Sequence, residues 1–223
     1  MSICIASITP DGAVLGVDSK YTSTDGTQSG TGMEKSLIRN FHGRPIVVGF
    51  AGDSKIGDSL VKDILISVKD EGEPLKAFQA AILGAYKEDV ENYAWESEDD
   101  KNEFVEKASV YLVCLDSPTS YGVTQIGVTH VKREKSGNAP NWLGFGVQNV
   151  GNRLFETRSI AQAVEMVTNV IGDLCHEEPS CGLPARLIVW KNNGHPQRSD
   201  WFETQKTLRS AYVAEGGEEW AQS

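Results

Sequence analysis

The chain has 223 residues, enough for one globular domain, and a hydrophobic content of 39% that can build a core. Its 31 acidic against 21 basic residues leave a net charge of −10, the wrong sign for neutralising phosphate, which argues against a nucleic-acid binder and against docking on an anionic membrane. No apolar run approaches the roughly 20 residues of a membrane span. Four sparse cysteines with no secretory signal ahead of them point to a reducing, cytoplasmic compartment.

In chain order, residues 2–8 form an apolar β-leaning run, and Thr9-Pro10-Asp11-Gly12 is a turn signal. Residues 13–18 form a second run, so the chain is expected to open with a β-hairpin. Residues 19–33 are rich in Ser, Thr and Gly and read as an exposed loop with short irregular strands. Residues 35–41 and 45–51 make another strand pair around His42-Gly43-Arg44. Two helices are expected next. The first opens at Gly52-Asp53-Ser54 with Ile56, Leu60, Ile64 and Val68 at helical spacing. The second starts at Glu73-Pro74.

Residues 97–107 are a charged, solvated stretch. Strands return at 108–115 and 121–130, then a polar loop at 131–141, and a short strand or turn at Trp142–Gly146. Residues 149–156 suggest a short helix. Residues 159–175 carry an amphipathic helix capped near Ser159. A late strand covers 185–191, and the polar tail from 193 onward is left unassigned. Runs of strands alternating with runs of helices predict an α+β protein: one domain over 1–223, built as a four-layer αββα sandwich of two antiparallel sheets flanked by helices.

The chemistry concentrates near the start. Methionine before a small residue is normally clipped, so the mature chain is expected to begin at Ser2 with a hydroxyl and a free α-amine on one residue. An α-amine has a pKa of about 7.7–8.0 and is partly neutral near pH 7, which sets a general base beside a nucleophile. Cys4 shares the Ser2 face of the strand but has no base of its own. Cys175, His176 and Cys181 match no zinc-ligand spacing, so no metal is expected. The chain has no G-x-S-x-G elbow and no P-loop, and His42, His130, His176 and His195 lack the context of a triad, so no cofactor is expected either.

Four positions then acquire a joint meaning. Asp18, in GVDSKYT, lies sixteen residues after Ser2; Lys35 falls at the third strand; Gly49, in VVGFAGDSK, lies fourteen residues after Lys35. Over roughly its first 90 residues the chain resembles the β-type subunits of the proteasome and the related bacterial ring proteases, members of the N-terminal nucleophile hydrolases. The likeness thins further on. Where that family often carries Gly-Ser-Gly, this chain has Gly144-Phe145-Gly146, and Phe145 offers no hydroxyl. Where the family has an Asp followed by Ser-Gly, it has Glu178-Pro179-Ser180-Cys181-Gly182.

The resemblance implies Ser2 as nucleophile, its α-amine as base, Lys35 as the cation beside both, Asp18 as the partner of Lys35, Gly49 as an oxyanion donor and Glu178 as an outer support. It implies cleavage of peptide bonds in unfolded or peptide substrates, within a homo-oligomeric ring fed by an ATPase. Two other functions fit the same fold: a non-catalytic assembly subunit, and an amidohydrolase of small molecules.

Overall fold

The computed structural model describes residues 2–22, 29–30, 34–41, 43–52, 91, 94, 96–99, 101–102, 110–126, 131–135, 142–146 and 150–201. The helices expected at 53–68 and 73–86 lie outside them.

The opening hairpin joins β1 (Ile3–Thr9) to β2 (Gly12–Val17). Its turn closes on Thr9, whose Oγ1 donates to the Gly12 carbonyl at 3.0 Å and accepts from the Asp11 N–H at 3.2 Å. Gly12 has φ +148°, and a Cβ there would stand 2.1 Å from the Trp190 carbonyl oxygen, so both conformation and space require glycine. This hairpin is the middle of a five-stranded antiparallel sheet, β10-β1-β2-β11-β12, completed by β10 (Trp142–Gly146), β11 (Ala185–Lys191) and β12 (Gln197–Trp201). A second five-stranded antiparallel sheet runs β5-β6-β7-β8-β9, from β5 (Ser36–Phe41) and β6 (Arg44–Gly52) through β7 (Val110–Ser117), β8 (Ser120–Ile126) and β9 (Val131–Lys135). A two-stranded ribbon pairs β3 (Tyr21–Thr22) with β4 (Ser29–Gly30).

Alternation along the strands sorts the core into two layers. Ile3, Ile5, Val14, Leu187 and Val189 turn to one face of the first sheet, where helix α1 (Ile160–Glu177) lies. Cys4, Ala6, Ala13, Leu15, Val17 and Ile188 turn to the other and meet Val47, Ala51, Val113 and Leu115 of the second sheet. The layers are therefore helix on sheet on sheet. Each fully buried aliphatic side chain is worth roughly 1.5–3 kcal/mol relative to exposure.

Helix α1 starts where Ser159 Oγ accepts from the Gln162 N–H at 3.3 Å, as the capping signal predicts. It presents Ala163, Met166, Val167, Val170, Ile171 and Leu174 to the sheet. Gly16 allows the close approach: a Cβ there would fall 2.3 Å from Val167 Cγ1.

The structure corrects the sequence reading in two places. Residues 131–135, expected in a loop, form the edge strand β9; the tail, left unassigned from the sequence, supplies β12 at 197–201. Both are edge strands, where polar and charged residues such as Lys132, Arg133 and Glu134, or Gln197 and Arg198, are compatible with pairing on one side only. The short helix expected at 149–156 is reduced to a 3-10 turn at Gly151–Arg153.

Candidate active site

Ser2 precedes β1, Asp18 follows β2 and Lys35 precedes β5, so three strand ends converge. Asp18 is the hub. Its Oδ1 accepts from the Ile3 N–H at 2.8 Å and from Lys35 Nζ at 2.9 Å. Its Oδ2 accepts from the Lys20 N–H at 3.2 Å and the Gly182 N–H at 3.3 Å. The carboxylate thus has four donors, one of them an ammonium. Lys35 Nζ also donates to the Lys20 carbonyl. Both charged side chains are wholly buried. Taking two charges out of water costs several kcal/mol each, repaid only when geometry and additional hydrogen bonds satisfy them. Here the carboxylate has four donors and the ammonium two acceptors.

Ser2 is tied to this hub through the chain itself, because its neighbour Ile3 is pinned on both sides: Ile3 N–H to Asp18 Oδ1, and Ile3 carbonyl accepting the Asp18 N–H at 3.2 Å. The Ser2 residue is 2% exposed, and its Oγ donates to the Gly52 carbonyl at 3.3 Å.

Gly49 sits within β6, opposite Ser36 on one side and Val113 on the other. A Cβ there would come within 2.9 Å of Leu15 Cδ2 and 3.0 Å of Cys4 Sγ, so this glycine lets the sheets close on each other. The Phe50 N–H donates to the Lys35 carbonyl at 3.0 Å, on the β5 side. Backbone groups alternate sides along an antiparallel strand, so the Gly49 amide faces Val113 of β7.

Glu178 enters through its backbone. Its N–H caps α1 on the Leu174 carbonyl at 2.8 Å, and its carbonyl accepts from the Cys181 N–H at 3.0 Å. The turn so formed delivers the Gly182 N–H to Asp18 and the Gly182 carbonyl to the Ser19 N–H at 3.1 Å. Lys20 fastens this turn by donating from Nζ to the Pro179 carbonyl. Gly182, Lys20 and Gly52 were not singled out as site residues from the sequence, because they reach Asp18, Lys35 and Ser2 through backbone groups. Phe145 stands opposite Cys4 in the β1–β10 ladder.

The thiols are quiet. Burial is the main cause that raises the Cys4 thiol far above its ordinary range, with nearby Cys114 and Asp18 adding to it. Burial likewise pushes Cys175 up to about 12 and Cys181 up to about 11. Among the described residues no group of three or more His, Cys, Asp and Glu could hold a metal.

No protein-family model matches the chain, and no curated protein matches it in sequence. Solved structures do match in shape. An Anbu (Gly-1) mutant from Hyphomicrobium sp. strain MC1 superposes with a TM-score of 0.68 at 12% identity, over 99% of this chain and 97% of that one. Anbu from Yersinia bercovieri, described as an ancestral beta-subunit, gives 0.66 at 13% identity over 99% and 97%. A helical assembly of the Anbu complex from Pseudomonas aeruginosa gives 0.62 at 14% identity over 99% and 96%. At these identities the likeness establishes a shared fold, that of the Anbu proteins.

Proposed function

We propose that this chain is a proteasome-like N-terminal-nucleophile hydrolase that cleaves peptide bonds with Ser2, once Met1 is removed, within a homo-oligomeric assembly. One observation carries the reading: a single buried carboxylate, Asp18, holds both the backbone next to the nucleophile and the ammonium of Lys35. The Anbu fold and the assembly named for its Pseudomonas relative support it. Burial of Val48 and Phe50, which alternate with the inward-facing Val47 and Ala51, supports an outer covering layer and so the four-layer sandwich over 1–223. No helix among the described residues is long and apolar enough to cross a membrane. The four cysteines are free, which favours a reducing, cytoplasmic setting. Peptides or unfolded chains are the proposed substrates, with an ATPase as the feeding partner.

In this mechanism the Ser2 hydroxyl leaves the Gly52 carbonyl and attacks the substrate carbonyl carbon. Its proton passes to the Ser2 α-amine, and from there to the leaving amine as the amide C–N bond breaks. Water then hydrolyses the acyl ester. Two of the three Lys35 ammonium protons are used by Asp18 and the Lys20 carbonyl; the third is proposed to reach Ser2 Oγ once that hydroxyl leaves the Gly52 carbonyl. A cation there lowers the pKa of both the hydroxyl and the amine. The oxyanion role proposed for Gly49 requires its pairing with Val113 to open when substrate binds. That requirement, together with the buried Ser2, favours as second reading a non-catalytic assembly subunit.

The test is hydrolysis of fluorogenic peptides by the mature chain and by Lys35→Met, with size-exclusion chromatography on both. The account expects activity lost and assembly kept. Undiminished hydrolysis in the variant would remove Lys35 from the reaction.

A further inference from the structure

Lys35 is held at its ammonium by Asp18, and a second anchor acts one residue earlier. The Glu34 carboxylate is clamped by two arginines of the first sheet: Oε1 lies 3.6 Å from Arg186 Nη1 and accepts from Arg198 Nη1. Arg186 belongs to β11 and Arg198 to β12. Arg186 lies two residues before Ile188, and Arg198 is the cross-strand partner of Ile188. Both arginines therefore project from the face that Ile188 turns toward the second sheet. Arg186 is also the cross-strand partner of Val17, the residue before Asp18. The same two strand ends are thus joined twice: by Asp18 to Lys35, and by the neighbours of each through the arginine clamp.

We propose that Glu34, gripped by Arg186 and Arg198, is a positioning residue for Lys35. The clamp fixes the chain entering β5 against β11 and β12 and so sets where the Lys35 ammonium stands relative to Ser2. The pair with Arg186 has the geometry to do this, since its side chains are 12% and 33% exposed and poorly screened. The consequence for catalysis rests on the reading of Ser2 as nucleophile; the consequence for Lys35 does not.

Two measurements on the full chain separate these. The first is modification of Lys35 by acetic anhydride, followed by peptide mass spectrometry. Lys35 is wholly buried and is expected to be protected in the wild type, and to become acetylated in Glu34→Gln and in Arg198→Met, with Glu34→Asp restoring protection. The second is the rate at which a β-lactone acylates Ser2, as a function of pH. Displacement of about 1 Å can cost up to about 100-fold in rate. The rise in rate with pH should also shift to higher pH, because a displaced ammonium no longer lowers the α-amine pKa. Lost stability alone would not move that midpoint. Arg198→Met lies on an edge strand and keeps the test open if Glu34→Gln does not fold. Wild-type protein that is never acylated at Ser2 contradicts the hydrolase reading but leaves the acetylation result decisive for the clamp. Unchanged Lys35 protection in both variants overturns the clamp, whatever Ser2 does.

Discussion

The Lys35 ammonium stands 2.9 Å from Asp18 Oδ1, and both side chains are fully buried. Removing one partner of such a pair leaves a buried charge without compensation and typically costs about 3–5 kcal/mol. Asp18→Leu should be the more damaging single change, since it also strips acceptors from the Ile3, Lys20 and Gly182 amides. The double variant Asp18→Leu/Lys35→Met should be more stable than Asp18→Leu alone, because no unpaired ammonium remains. Urea denaturation of the three variants checks this; strictly additive losses would contradict a coupled pair.

Gly16→Ala should destabilise the chain by about 1–3 kcal/mol, the usual cost of overpacking a core. The new methyl would meet Val167 Cγ1 at 2.3 Å and Ile171 Cδ1 at 3.0 Å and push α1 off the sheet. Val167→Ala in the same chain should recover part of the loss. Thermal melts of the single and double variants decide it, and a Gly16→Ala melt equal to wild type would refute this packing.

The thiols should resist alkylation in the native state, because the thiolate is the reactive form and burial suppresses it. At pH 8 iodoacetamide should modify Cys175 and Cys181 slowly, and Cys4 only on unfolding. Peptide mapping over time gives the order. Cys4→Ala should leave acylation at Ser2 intact; loss of the adduct would reopen Cys4 as nucleophile.

Arg153 bonds Glu177 and lowers its pKa, and the two join the 3-10 turn to the end of α1. A carboxyl whose pKa is lower in the folded chain contributes stability above its unfolded pKa and loses it as pH falls through the folded value. Stability should therefore fall slightly less on acidification in Glu177→Gln than in the wild type. The difference should vanish at high salt, since the pair is exposed and screened. A difference of the opposite sign in paired pH titrations would contradict the assignment.

Much of this was legible in the sequence because the strongest local signals were also the structural ones. Thr9-Pro10-Asp11-Gly12 predicts the hairpin that sets Ile3 opposite Asp18, and Ser159 with its apolar stripe predicts α1. The edge strands β9 and β12 were not legible, since one-sided pairing leaves Lys132 or Arg198 free of the alternation that marks a strand. The support of Asp18 by Gly182 was hidden for another reason. A backbone N–H leaves no trace in residue identity, and attention falls instead on Glu178, whose part is to shape the turn.

The most direct measurement is intact-protein mass spectrometry of freshly purified native chain, before and after incubation with a β-lactone. The account predicts a mass lacking Met1 and one adduct per chain, mapping to Ser2. Retained Met1 with no adduct would contradict it and favour the reading as a non-catalytic assembly subunit.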